Sequence, residues 1–195
     1  MRIGVLALQG DVREHIAALE DCGADAVAVK TASEISAVDA LVFPGGESTT
    51  IAKLARSFDL FDLIQNRIKD GVPVYGSCAG MILLANSIMD GIVDQETFGG
   101  LDITVRRNAF GRQVDSFEQE LEMKGVGRIN AVFIRAPWVE VASSSVNILA
   151  EVSIEGLTHP VAVQQGRILA TSFHPELTGD YRVHRYFVTE VCKIS

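Results

Sequence analysis

Short apolar runs, each closed by a turn residue and followed by helical periodicity, restrict what the first half of this chain can fold into. Residues 3–8 are continuously apolar, as a strand buried on both faces must be. Asp11 with Glu14 three residues later reads as a capping-box-like helix start with aspartate in the Ser/Thr place. Val12, Ile16 and Leu19 then share one helical face, and Gly23 closes the helix. Residues 26–29, 40–43 and 72–75 repeat the strand signal. Helices are expected over 49–56, 59–69 and 79–87. This alternation predicts an α/β fold, a three-layer arrangement with a mostly parallel central sheet flanked by helices. In such sheets functional groups collect at the carboxyl ends of strands. Gln9, Gly46 and Cys78 each follow a predicted strand.

The second half changes character. Residues 103–105, 117–123, 131–134, 147–151, 161–164 and 167–173 are strand-like, with Gln165-Gly166 as a hairpin turn. They are expected to form an antiparallel extension and edge of the sheet. A last helix is expected over 181–193, a mobile loop over 90–100, and one domain over 1–195.

Gly76-Ser77-Cys78-Ala79-Gly80 stands at a strand-to-helix junction. Small residues two before and two after the cysteine permit a sharp turn that lifts the apical side chain, as in a nucleophile elbow. A helix N-terminus also favours the thiolate. The same five residues equally suit a buried structural cysteine between packing glycines.

A cysteine nucleophile needs a base, usually distant in sequence. Residues 168–173 run apolar into His174-Pro175-Glu176. His and Glu two apart in an extended segment point to one side. Glu176 can then orient one ring nitrogen of His174 while the other faces a thiol. His15 and His184, within predicted helices, and His159, before Pro160, read as ordinary hydrogen-bonded surface histidines. Upstream, Pro44-Gly45-Gly46-Glu47-Ser48-Thr49-Thr50 follows the strand at 40–43. Its glycines expose backbone N–H groups suited to an oxyanion hole, with the N–H of Ala79 as second donor. A plain Gly-Gly turn with Ser48 or Thr49 capping the next helix fits the same residues.

Taken together, the Gly-x-Cys-x-Gly elbow, the Pro-Gly-Gly loop and the His-Pro-Glu segment resemble the class I, triad-type glutamine amidotransferases. Further segments narrow the resemblance: Leu8-Gln9-Gly10-Asp11-Val12-Arg13-Glu14-His15, Arg107-Asn108-Ala109-Phe110-Gly111-Arg112-Gln113, Phe133-Ile134-Arg135-Ala136-Pro137 and Ser172-Phe173-His174-Pro175-Glu176-Leu177-Thr178. With these, essentially the whole chain is similar to the glutaminase subunits of pyridoxal 5'-phosphate synthase. Ser77 departs from the threonine more usual there.

The resemblance implies hydrolysis of L-glutamine to L-glutamate and ammonia through a Cys78–His174–Glu176 triad and a γ-glutamyl thioester. It implies glutamine contacts at Gly46, Glu47, Ser48, Arg107, Ile134 and Arg135, an oxyanion hole at Gly46 and Ala79, and Gln9 and Gly10 completing that hole. It also implies a (β/α)8-barrel synthase partner in a 12+12 complex. Arginine suits a carboxylate through its bidentate fork, and Glu47 suits an ammonium. Read without the resemblance, Arg107 and Arg135 are surface ion-pair residues. Arg13, Glu14 and His15, expected on the solvent side of the first helix, are the candidates for part of the docking surface, and the same charges suit an ordinary solvated helix face. The chemistry calls for no metal and no organic cofactor.

Composition bounds the alternatives. A formal charge of −8 argues against a nucleic-acid partner. No apolar stretch approaches the roughly 18 residues of a membrane span, and no signal peptide is read at the start. Three widely spaced cysteines, 22, 78 and 192, argue for a reducing, cytoplasmic setting. Cys22 and Cys192 read as packing residues on their helices. Two other readings stand beside the first: the glutaminase of a different amidotransferase, or a γ-glutamyl hydrolase, with the same triad; and a catalytically silent regulatory subunit of the same fold.

Overall fold

The computed structural model describes residues 1–91, 95–110, 116–154 and 156–193. Gly111, Arg112 and Gln113 of the quoted 107–113 segment, and residues 92–94 of the expected loop, lie outside the described residues.

Seven strands form the central sheet: β1 (Arg2–Leu6), β2 (Asp25–Val29), β3 (Ala40–Phe43), β4 (Val74–Ser77), β10 (Asn147–Ile154), β11 (Leu157–Gln165) and β12 (Ile168–Thr171). Their order is β10-β11-β12-β4-β3-β1-β2. The run from β12 to β2 is parallel, and β10 and β11 add the antiparallel extension. Every residue of β3, β4 and β12 is buried, which is why these strands read as largely apolar runs, broken only at their ends by Ser77 and Thr171.

Side chains alternate between the two faces. Leu41 and Phe43 of β3 enter one core with α3 (Ser48–Ser57), α4 (Phe61–Lys69) and α5 (Ala79–Leu84). Ala40 and Val42 enter the other core with α1 (Val12–Asp21) and α6 (Arg182–Tyr186). Full burial of a side chain such as Phe43 contributes about 1.5–3 kcal/mol. Among the described residues no helix is long and apolar enough to cross a membrane.

Several expectations are corrected. The elbow helix stops at Leu84, and residues 85–89 form β5 (Ala85–Met89). The Leu83 carbonyl accepts from the N–H groups of Phe98 (2.7 Å) and Gly99 (3.1 Å), so a returning segment takes the place of another helical turn. β5 then pairs with β6 (Leu101–Arg106), and β6 with β9 (Trp138–Ala142), in a separate three-stranded sheet. β7 (Ser116–Met123) and β8 (Gly127–Ile134) form a separate two-stranded ribbon. Only β10 to β12 of the second half therefore extend the central sheet.

The capping box expected at Asp11 is absent, since its side chain makes no cap hydrogen bond. A capping box instead opens α2 (Ala32–Ser36), where Thr31 and Glu34 bond reciprocally. The final helix is α-helical only over Arg182–Tyr186 and continues as a π-helix over Phe187–Val191.

Candidate active site

The loops after β1, β3, β4 and β12 meet at one edge of the sheet. β1 has β2 on one side and β3 on the other, so this edge includes a topological switch point, the usual place for a ligand crevice. A cavity of ≈ 340 Å³ lies there.

Cys78 sits at the junction of β4 and α5 with φ 48° and ψ −100°, a left-handed conformation strained for a residue with a side chain. The flanking glycines are required by space. A Cβ on Gly76 would lie 2.5 Å from the carbonyl carbon of Gly80. One on Gly80 would collide with the Phe43 carbonyl oxygen of β3. The strain is held in place by backbone bonds on both sides: Cys78 N–H donates to Thr171 O of β12 (2.8 Å), and Ile82 N–H donates to Cys78 O (3.3 Å). Cys78 as a whole is 7% exposed and lines the cavity, and its Sγ is 3.8 Å from Ile134 O.

His174 lines the same cavity. Its Nδ1 is 2.7 Å from Glu176 Oε1, and Glu176 lies behind it in the 3-10 turn Pro175–Leu177, with no exposed side-chain surface. Burial alone would lower the His174 pKa. The neighbouring Cys78 and the hydrogen-bonded Glu176 outweigh it and raise it to about 10. Burial in turn raises Glu176, against the opposing pull of His174. The direction that holds for the pair is a stabilised imidazolium, because it has a partner on each side. Asp11, which fails to cap α1, lies 3.7 Å from His174 Nδ1. Its carboxylate faces a positive ring in place of the first helical turn. Asp11, His174 and Glu176 bring ligand-type atoms within 4.8 Å of one another, and imidazole–carboxylate pairing accounts for that cluster.

The Gly45-Gly46 pair is equally constrained. A Cβ on Gly45 would lie 2.8 Å from His174 Nδ1, and one on Gly46 3.0 Å from Gln9 Cδ. The backbone thus passes between two side chains with no room for a third. Gln9 Oε1 accepts from Glu47 N–H (2.7 Å), fixing that peptide. Gly10, at φ 110°, packs against the Gly45 carbonyl and does not line the cavity. Ala79 opens α5, so its N–H is among those a helix leaves without an internal partner.

The expected substrate residues Gly46, Glu47, Ser48, Arg107, Ile134 and Arg135 all line the cavity. Glu47, rather than Ser48 or Thr49, caps α3, accepting from Thr49 N–H and Oγ1. Burial would raise its pKa, but these bonds with Arg107 and Arg135 hold it below the usual value. Arg107 is largely buried and bonds Glu47 (2.9 Å) and Gln95 (2.7 Å). It is therefore no surface ion-pair residue.

Gln95, which also donates to Ser48 Oγ (3.0 Å), was not legible as a site residue. Neither were Asp11, Asn108 and Leu177, which line the cavity. Asn108 (φ 45°) and Arg135 (φ 43°) share the positive φ of Cys78, and such strain concentrates at functional sites. The histidine reading needs the largest correction. His15 and His184 are fully buried, and their rings bond each other. His15 therefore belongs to no docking face. His159 stacks on Trp138.

A family model described as the SNO glutamine amidotransferase family matches residues 5–193. A protein of Kineococcus radiotolerans called pyridoxal 5'-phosphate synthase subunit PdxT is 60% identical over 194 residues, 97% of this chain and 94% of the relative. One of the same name from a Nocardioides species is 61% identical over 188 residues, 95% of this chain and 94% of the relative. A crystal structure described as a glutamine amidotransferase superposes with TM-score 0.89 at 48% identity, covering 98% of this chain and 99% of its own. PurLQS from Thermotoga maritima, at 16% identity and TM-score 0.68 with 96% and 95% coverage, shares the fold. A match of this length and identity leaves one conclusion, that the chain belongs to the SNO glutamine amidotransferase family.

Proposed function

We propose that this chain, acting as one domain over residues 1–195, hydrolyses the side-chain amide of L-glutamine. It passes the ammonia to a (β/α)8-barrel synthase subunit that makes pyridoxal 5'-phosphate, in a 12+12 cytoplasmic complex. The observation that carries the chemistry is one cavity lined both by a thiol on a positive-φ elbow and by His174, itself 2.7 Å from buried Glu176. The synthase assignment is supported by the name shared by relatives at about 60% identity.

In this reading His174 holds the Cys78 proton, and the thiolate attacks the amide carbon. The carbonyl electron pair moves onto oxygen, where N–H groups at Gly46 and Ala79 receive it. Donors of this kind contribute about 3–4 kcal/mol each. Collapse expels ammonia, protonated by His174, and leaves a γ-glutamyl thioester. Water then gives His174 a proton as it attacks, and the thiolate departs with glutamate released. Glu176 steadies the imidazolium at each turn. Arg107 receives the substrate carboxylate, Glu47 its ammonium, and Ser48, Ile134 and Arg135 complete the enclosure.

Ammonia release from glutamine, measured with and without a vitamin B6 synthase barrel, tests both halves. Stimulation by that barrel is expected, as is loss of activity when a glutamine-analogue electrophile labels Cys78. Stimulation only by another acceptor subunit would reject the synthase assignment. Failure of the thiol to label with the barrel bound would reject the triad.

A further inference from the structure

Behind Glu176 lies a pair of histidines that do not line the cavity. His15 on α1 and His184 on α6 are fully buried, and His15 Nδ1 is 2.9 Å from His184 Nε2. His15 Nε2 is 3.0 Å from Ser77 Oγ, the residue before the nucleophile, and 3.5 Å from Glu176 Oε1. That oxygen is the one bonded to His174.

Protons can be assigned along this chain. Burial, then the neighbouring His184 and His174, push the His15 pKa well down, and burial pushes His184 down to about 3. Each ring is therefore neutral and carries one proton. Among the described residues His184 Nδ1 is buried with no hydrogen-bond partner. A buried orphan N–H is rarer than a buried bare acceptor, so the His184 proton sits on Nε2. It is donated to His15 Nδ1, which fixes the His15 proton on Nε2, facing Ser77 and Glu176. The groups around Glu176 are His174 on one side, Asp11 beyond it, His15 from α1 with His184 behind, and the Tyr75 hydroxyl of β4. Glu176 Oε2 has no partner among the described residues. A buried carboxylate needs polar partners to stay ionised, and the His15 Nε2–H, shared with Ser77, approaches Oε1 from outside the cavity at 3.5 Å.

We infer that His15 is a positioning residue, held by His184 as the Nε2–H tautomer. In that state it keeps Glu176 ionised and aimed at His174 while tying the elbow to the triad through Ser77. His15 affects rate only if the triad reading above is right, whereas its tautomer holds regardless.

The test has two arms. Nitrogen-15 NMR of the histidine-labelled full chain at neutral pH is expected to show His15 neutral with its proton on Nε2. A proton on Nδ1, or a charged ring, would overturn the inference without touching the triad. In the kinetic arm, with the barrel subunit present, H15F removes the donor at similar volume. Its kcat is expected to fall about tenfold, the scale of losing one polar partner beside a buried charged group, with KM within about twofold. The acid limb of its kcat profile should move to higher pH, because Glu176 takes up a proton sooner. H15Q, which returns an N–H, is expected to recover most of the rate and the limb. A wild-type profile in H15F would overturn the inference, as would equal losses in both variants with no shift in the limb. If H15F does not fold, the tautomer measured on the unmodified chain decides.

Discussion

Gly80→Ala tests whether the elbow is set by space. Gly80 lies inside α5 with an ordinary helical φ. On propensity alone alanine there should stabilise the chain by about 0.5–1 kcal/mol. The packing demands the opposite sign. An ideal Cβ would collide with the Phe43 carbonyl oxygen and lie 3.1 and 3.2 Å from Phe43 C and Cβ. These are atoms of a fully buried central strand that cannot swing aside. α5 must then retreat from β3 by roughly an ångström. Overpacking of this kind costs about 1–3 kcal/mol. At the upper part of that range the melting temperature falls by roughly 4–12 °C for a chain of this size.

The retreat also carries Cys78 and Ala79 away from His174, and a misplacement of about 1 Å costs on the order of 100-fold in rate. Thermal denaturation and glutaminase turnover with the barrel subunit measure both effects. Gly71→Ala is the control. Gly71 has φ +80° with nothing within 4 Å of its Cβ position, so it should lose about 1 kcal/mol and keep its activity. A Gly80→Ala protein that melts at or above the wild-type temperature with full turnover would refute the steric account.

Other outcomes follow from the same geometry. Cys78→Ala should abolish glutamine hydrolysis while the circular dichroism spectrum and barrel binding stay near wild type. The rise of His174 from 6.5 to about 10 corresponds to roughly 5 kcal/mol favouring the imidazolium. This contribution is full below the unfolded value and is lost as pH climbs through about 10. The basic limb of kcat/KM is therefore expected near that pH. Glu176→Gln removes roughly 2 kcal/mol of this support, so activity should fall about 30-fold and the basic limb move to lower pH. Burial pushes the Cys192 thiol up to about 12. Limited alkylation followed by mass spectrometry should accordingly modify Cys78 well before Cys192. Cys22→Ala and Cys192→Ala should retain turnover and lose about 1 kcal/mol of stability at most.

The inner parallel strands were legible because burial on both faces leaves a largely apolar run, and β3 over residues 40–43 begins and ends where periodicity placed it. The elbow and the His-x-Glu pair were legible because each is a local motif with its own steric or orienting logic. Strand β5 was not. The sequence Ile82-Leu83-Leu84-Ala85 reads as helix, and only the return of Phe98 and Gly99 onto the Leu83 carbonyl ends it. Asp11 read as a helix cap because the chain order does not reveal that His174 lies beside it.

His15 is the sharpest case. Its neighbours Arg13, exposed, and Glu14, half-buried, suggested a solvated face. Its environment is instead made by His184, 169 positions away, and by Ser77 and Glu176. By itself, then, the sequence determined which residues are candidates for chemistry and which strands lie inside, since periodicity and turn sterics act over a few neighbouring positions. Tertiary structure alone decided which groups share a buried hydrogen-bond network, because the low dielectric that couples them is created only when distant segments close around it.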